Sequence, residues 1–217
     1  MRRIEVAALG LAVAWATGCA GTPTLPDGSG RGIVAFDRDP PAGVEVFERP
    51  EWTAGDRFVY LRAGLIRLPF RVLDGEDGGY VLEHEESGGQ TLITRDLAMA
   101  GQRDPEMPGG VRVDDPPEAL LHWPLWAGKR WTCHFFRKQA GQPVLPLQAT
   151  YHCDGTETIT VPAGTFECLR IWRRVRVAAE GQYLERTSLL WYAPEAGYFA
   201  RRLENGTLVE LAELYRQ

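Results

Sequence analysis

Phe199-Ala200-Arg201-Arg202-Leu203-Glu204-Asn205-Gly206-Thr207-Leu208-Val209-Glu210-Leu211 reads as strand, tight turn, strand. Asn-Gly tolerates the two positive φ angles of a type I′ turn, the geometry whose twist matches that of the strands it joins. The same grammar runs outward along the chain. Arg57 to Arg62 alternates and meets Ala63-Gly64, and Leu65 to Leu73 follows. Gly78-Gly79 precedes Tyr80 to His84, and Ser87-Gly88-Gly89 precedes Gln90 to Thr94. Further turns fall at Ala140-Gly141, Pro162-Ala163-Gly164, Glu180-Gly181 and Pro194-Glu195-Ala196-Gly197. Period-two segments rich in Val, Tyr, Trp, Thr and Phe between such turns predict a mainly-β chain, an antiparallel meander of about ten strands. At most one or two short helices are expected. The best candidate opens at Asp115-Pro116-Pro117-Glu118, with a capping residue and a proline at the first helical position. Residues 98–117 read as a long polar connection, either a lid or a loose crossover.

Of 217 residues, 44% are hydrophobic and 24% charged, which argues for one packed globular domain. Twenty-nine Asp and Glu against 24 Lys and Arg give a formal charge of −5, which excludes a generally basic protein that coats nucleic acid. Lys129 and Lys138 are the only lysines and Asn205 the only asparagine. That bias is what a GC-rich genome writes, so arginine density here is weak evidence for phosphate binding, although arginine suits it chemically.

The N-terminus carries the strongest targeting signal. Arg2 and Arg3 precede an apolar stretch from Val6 to Ala16, too short for a mature membrane helix but suited to a secretory signal. Ala16-Thr17-Gly18-Cys19 resembles the lipobox of bacterial lipoproteins. The resemblance implies diacylglycerol on the Cys19 thiol, cleavage before it, and acylation of the new amine. Ala14-Trp15-Ala16 offers the other reading, an ordinary signal-peptidase site that leaves Cys19 a thiol. Ala20 to Arg31 has no periodicity and is rich in Gly, Pro and Ser, as a flexible tether is. The expected organisation is a signal peptide over 1–18, the lipidated Cys19 and tether over 19–43, and a β-rich domain over 44–217. By the same resemblance, Ala20 after the cysteine implies the outer membrane of the bacterial envelope.

Cys133, Cys153 and Cys168 remain for an oxidising compartment, where a disulfide is expected. If the hairpin from Arg130 to Cys153 turns around Gly141 to Val144 so that paired residue numbers sum to 286, Cys133 faces Cys153 and His134 faces His152. Cys133–Cys153 is then the candidate disulfide. Free buried thiols and a Cys-His metal site are the other readings, and Cys168 could partner either cysteine. Neighbouring strand residues point to opposite faces, which disfavours the metal.

No catalytic motif is present, so an enzyme is not expected and no cofactor is implied. Glu83-His84-Glu85-Glu86 reads as a solvated edge. Arg170 to Val177 is the densest basic segment, readable as a docking surface or as strand charges neutralised by Glu180, Glu185 and other acids. Six tryptophans follow the signal (Trp52, Trp123, Trp126, Trp131, Trp172, Trp191), read first as core and second as the wall of an apolar cavity. Trp52 to Phe58 and Trp126 to Trp131 echo each other, each an aromatic, a turn, a basic residue and an aromatic.

Val161-Pro162-Ala163-Gly164-Thr165-Phe166 resembles a motif of uncharacterised bacterial envelope lipoproteins. Its companions are Trp123-Pro124-Leu125-Trp126-Ala127-Gly128-Lys129-Arg130-Trp131 upstream and Trp191-Tyr192-Ala193-Pro194-Glu195-Ala196-Gly197 downstream, in agreeing order over about residues 50–215. The resemblance implies a single curved antiparallel sheet, a half-barrel or open barrel like those of lipid carriers, and carries over no ligand residue. The expected function is a non-enzymatic lipoprotein held to the lipid bilayer by Cys19, with a lipid or other apolar ligand on the concave face. The alternative is a structural accessory that docks an envelope protein complex. Cys19→Ala should release the protein from the membrane fraction, and a variant that still sediments with membranes would refute the anchor.

Overall fold

From Arg57 to Tyr215 side chains alternate between a buried and an exposed face, and the chain doubles back at each turn to pair with the strand before it. The structure is a computed structural model and describes residues 32–35, 37, 39–106, 109–177 and 184–217. The expected signal peptide, Cys19, most of the tether and Glu180 lie outside the described residues. The strands are β1 (Gly32–Ala35), β2 (Arg57–Arg62), β3 (Ile66–Asp74), β4 (Tyr80–His84), β5 (Gln90–Ile93), β6 (Met99–Arg103) and β7 (Val111–Glu118). They continue as β8 (Arg130–Gln139), β9 (Leu145–Val161), β10 (Gly164–Val177), β11 (Glu185–Ala193), β12 (Tyr198–Glu204) and β13 (Thr207–Tyr215). Helical structure among the described residues is confined to one 3₁₀ turn, Glu76–Gly78.

The protein is mainly β, as its turn spacing predicts, but the sheet goes further than a half-barrel. Each strand from β2 to β13 pairs antiparallel with the next, and β13 then pairs with β2, setting Leu211 opposite Tyr60. Twelve strands therefore close into a barrel. An all-antiparallel ring must alternate direction throughout, which only an even number of strands allows. β1 lies outside the ring on β8, with Gly32 opposite His134. It occupies an edge that β7 leaves free: pairing of β7 with β8 stops at Asp115 opposite Phe136, where Pro116 and Pro117 have no N–H to continue the ladder.

The stretch expected to hold a helix, Asp115 to Leu121, instead begins as the end of β7, and the expected long connection over 98–117 is mostly the β6–β7 hairpin. Arg112, Asp114 and Glu118 take the inward positions of β7, so its alternation is polar-in rather than apolar-in. The hydrophobic pattern that marks other strands is absent there. Gly101 in β6 lets β7 approach: a methyl group at that position would collide with the Arg112 carbonyl oxygen.

One end of the barrel is sealed. Trp52 packs within 5.5 Å, centroid to centroid, of Phe58, Tyr80 and Tyr198, and its Nε1–H donates to the Gly197 carbonyl at 3.0 Å. Leu97, Leu121, Leu125, Trp126 and Ala196, from three connections at that end, are all buried. The β9–β10 hairpin turns through Pro162-Ala163 as expected and lies against β11 to β13. Trp191 Nε1–H donates to Glu157, Arg201 donates to the Thr160 carbonyl, and the Ala163 N–H donates to the Leu211 carbonyl.

The two echoed segments are the same device used twice. Gly55 and Gly128 both have positive φ, at 101° and 98°. The Gly55 N–H donates to the Val72 carbonyl and the Val72 N–H to Asp56, while the Gly128 N–H donates to the Cys153 carbonyl and the Cys153 N–H to Lys129. Each turn buries the charged residue that follows its glycine. Asp56 accepts from the Thr53 and Gln217 N–H groups and pairs with Arg216 at 3.0 Å. Lys129 donates to the His122 and Pro124 carbonyls at 2.6 and 2.5 Å under the Trp126 ring. These turns launch β2 and β8, six strands apart on a ring of twelve, so the barrel is two six-stranded meanders that begin alike.

The expected Cys133–Cys153 disulfide is not formed. The β8–β9 pairs sum to 282, not 286: Trp131 faces Tyr151 and Cys133 faces Ala149, while Cys153 faces Ile171 of β10. The turn centres on Gly141, whose φ of +74° suits a tight reversal, and Trp131 stacks on Tyr151 at 4.7 Å with the rings 6° from parallel. A four-residue shift keeps both cysteines facing inward, so burial alone does not distinguish the two registers. Cys133, Cys153 and Cys168 are free and buried, and burial pushes each thiol up to about 12. Without reductant, a thiol reagent should label none of the three in the native protein and all three in denaturant. A Cys133–Cys153 link found by peptide mapping would overturn this register.

Candidate functional site: an arginine-lined barrel lumen

The sealed end leaves the other half of the barrel open inside. A cavity of about 420 Å³ lies there and reaches the turns at Gly89, Asp104 and Asn205. The strand period places its wall residues. Tyr60, Phe70, Leu82, Ile93, Leu120 and Tyr198 supply an apolar and aromatic side, and Thr91, Gln90, Gln102 and Ser188 add neutral polar groups. Arg103, Arg112, Arg137, Arg173, Arg186 and Arg202 face the same space, against Asp104 and Glu204. None of the described tryptophans borders it, so these indoles are core, as the first reading of them has it, except for Trp172 on the surface.

Two of these arginines are held in the wall by carboxylates. Glu118 is fully buried, and its Oε1 accepts the Tyr151 hydroxyl at 2.7 Å and the Arg173 guanidinium at 2.6 and 2.9 Å. Asp114 takes Arg137 in a two-pronged pair, both contacts 2.8 Å, and Arg137 lies 3.9 Å from the second Glu118 oxygen. Burial would push the Arg173 and Arg137 guanidiniums down, but the adjacent carboxylates reverse this and hold both above the ordinary arginine value. Burial, reinforced by the Glu118 charge, keeps the Tyr151 hydroxyl protonated well beyond its usual range.

Two others are not neutralised in this way. The Arg112 Nε–H is buried without an acceptor, and its Nη2 makes a long contact, 3.8 Å, to the Met99 sulfur. Burial and then the neighbouring Arg137 charge push its guanidinium below the ordinary value. Arg202 also has a buried Nε–H with no acceptor. It lies over the Tyr60 ring at 5.4 Å and reaches Glu204 only at 3.9 Å. Its side chain is 25% exposed and borders the lumen. Counting Asp114 and Glu118 behind the wall and Glu76, which pairs with Arg103 at 3.6 Å, six arginines meet five carboxylates, an excess of one positive charge around a half-apolar space. Buried donors left unpaired cost about 1–3 kcal/mol each, so an anion entering this space finds hydrogen-bonding capacity already desolvated.

The residues singled out in sequence lie elsewhere. His84 packs edge-on against Phe70 and accepts the Ser87 N–H, while Glu83 and Glu85 pair with Arg71 and Arg57. The Arg-rich strand splits by face. Arg170 pairs with Asp154 and Glu157, and Arg174 and Arg176 with Glu185, all outside, whereas Arg173 turns inward to Glu118. Neither Arg112 nor Arg202 stands out in the sequence. The only trace is a charged residue at an inward position of an alternating segment, visible for Arg202 because Asn205-Gly206 fixes the register beside it.

The profile of the DUF3108-like family matches residues 151–202, a range holding the Val161 and Trp191 motifs. No curated protein matches the chain. Among solved structures, the chain is similar to the hypothetical lipoprotein YmcC of Escherichia coli (K12), at 10% identity and a TM-score of 0.47, covering 77% of this chain and 89% of that one. A protein of Bacteroides fragilis NCTC 9343 described as exported, with a YmcC-like fold, is 14% identical with a TM-score of 0.42, over 79% of this chain and 100% of that one. A protein of Parabacteroides distasonis ATCC 8503 described as a lipoprotein is 12% identical with a TM-score of 0.40, over 78% and 99%.

Removing one member of a buried ion pair costs about 3–5 kcal/mol, because the other charge is left without compensation. Glu118→Gln should therefore lower unfolding stability by about that amount, and adding Arg173→Met should recover much of it. Equal stabilities of Glu118→Gln and the parent in urea titration would mean Glu118 does not balance Arg173.

Proposed function

We propose that this protein is a non-enzymatic envelope lipoprotein, anchored through acylated Cys19, whose barrel lumen binds an amphiphile carrying an anionic group. The observation that carries the reading is the pairing, within one cavity, of an aromatic and aliphatic wall with the unpaired guanidinium donors of Arg112 and Arg202. A wholly apolar ligand would leave those donors unsatisfied, so the lipid ligand suggested by the sequence becomes one with a phosphate or carboxylate. Arginine recognises both groups through charge-assisted hydrogen bonds, while the Tyr60, Phe70 and Leu82 side receives hydrocarbon. None of the three thiols serves as a nucleophile there: they are buried, kept protonated and do not line the cavity.

The alternative of docking through a sheet edge has less to stand on. Closure by β2 and β13 pairs the two end strands of the meander, and the outward arginines of β10 already hold carboxylates. A water-soluble short-chain phosphatidic acid should bind by titration calorimetry, and the matching phosphatidylcholine more weakly. Replacing Arg112 and Arg202 together by Met should weaken phosphatidic acid binding roughly tenfold or more, since a hydrogen bond to a charged group contributes about 1.5–3 kcal/mol. Equal binding by parent and double variant would end the reading.

A further inference from the structure

The six hairpin turns at the lumen end form a rim around the cavity, and the exposed large apolar residues gather there. Leu65 and Ile66 occupy the β2–β3 turn, Val144 the β8–β9 turn, Leu184 the entry to β11 and Leu208 the start of β13. Val111 and Val113 stand on the first turns of β7. Only Trp172 and Tyr215 among the described exposed large hydrophobics lie elsewhere. Leu65 is 86% exposed at the tip of a hairpin whose Ala63 N–H donates to the Leu208 carbonyl, so these two tips are joined. The apolar tips are consecutive around the ring, from β7 through β8–β9, β10–β11 and β12–β13 to β2–β3. The remaining rim, the β4–β5 turn and the β6 side of the β6–β7 turn, carries Glu85, Glu86, Asp104 and Glu106.

We infer that this arc of hairpin tips docks on the surface of a lipid bilayer and opens the lumen toward it. A contiguous apolar arc has no use in water and marks a surface that meets a partner. Three further features point to lipid. The arc surrounds the mouth of a cavity with an excess of positive charge, complementary to an anionic leaflet. Four carboxylates lie on the far side of the rim, while Glu204 and Glu185 within the arc face Arg202 and the Arg174 and Arg176 pair, so a tilted approach buries the apolar tips and keeps the far-side acids in water. The chain also arrives from the right direction. β1 runs antiparallel to β8, so Gly32 lies nearer the mouth end than Ala35 does. β8 continues only five residues beyond His134 to its end at Gln139, about 17 Å. Twelve residues lie between Cys19 and Gly32, and the thirteen Cα steps span about 45 Å when extended, so an acyl anchor in the same bilayer reaches the rim with length to spare.

The inference rests on the lumen reading for what enters the mouth, but the docking itself is read separately. The full-length acylated protein is reconstituted in phosphatidylcholine vesicles containing phosphatidylglycerol, with an environment-sensitive fluorophore on Leu65→Cys, Val144→Cys or Glu86→Cys. The native thiols are buried and do not compete for the label. Probes at 65 and 144 should shift to the blue and be quenched by spin-labelled lipid, while the probe at 86 stays in water. A probe at 65 as wet as the one at 86 would overturn the docking and point to a protein partner for the arc. Titration with the short-chain phosphatidic acid separates the two readings. Lipid contact at 65 without binding removes the lumen reading alone, and binding with a wet probe at 65 removes the docking alone.

Discussion

The interior of the barrel depends on the carboxylate of Glu118. It sits at the end of β7, fully buried, and receives the Tyr151 hydroxyl from β9 and the Arg173 guanidinium from β10, with Arg137 of β8 close by. Four neighbouring strands thus converge on one charge. Asp114, four residues earlier on the same face of β7, repeats the arrangement with Arg137. Because inward positions recur every second residue, these acids and arginines share the interior face of the barrel, and the salt bridges between them occupy part of it while the lumen beyond stays unfilled.

The two halves of the barrel follow from that division. Below the salt bridges the wall is aromatic and the core is packed, sealed by Trp52 and by the connections containing Leu97, Leu125 and Ala196. Above them guanidiniums line a cavity, and an arginine cannot close such a space as a leucine would, because its charge must meet a partner or stay solvated. Arg137 and Arg173 have partners in the wall, whereas Arg112 and Arg202 retain unpaired donors. The sealed end and the open end are therefore consequences of which residues occupy the inward positions of β7, β10 and β12.

The same division explains what could be read in the chain. Asn205-Gly206, Ala63-Gly64 and Pro162-Ala163-Gly164 announce hairpins because local backbone preference dictates them, and all three are hairpins. β7 escapes notice because its inward residues are Arg112, Asp114 and Glu118, so a polar segment with two prolines looks like a loop or a helix start. The cysteine register fails for a related reason. Registers summing to 282 and 286 bury the same faces of β8 and β9, and the Trp131–Tyr151 stack that accompanies the observed one joins residues twenty apart. Arginines scattered over β7, β8, β10, β11 and β12 look like compositional bias until the sheet curls and turns them toward one another.

Local chemistry, then, determined in this sequence the strands, most of their turns, the single antiparallel meander and the tryptophan core. It also holds the lipobox-like Ala16-Thr17-Gly18-Cys19, since each of these depends on residues a few positions apart. Closure of the ring by β2 and β13, the β8–β9 register, the free thiols and the charged lumen were decided only by the tertiary structure. They depend on contacts between residues up to about 150 positions apart, which have no local signature. They arise because a twisted sheet of twelve antiparallel strands can satisfy its last two edges against each other.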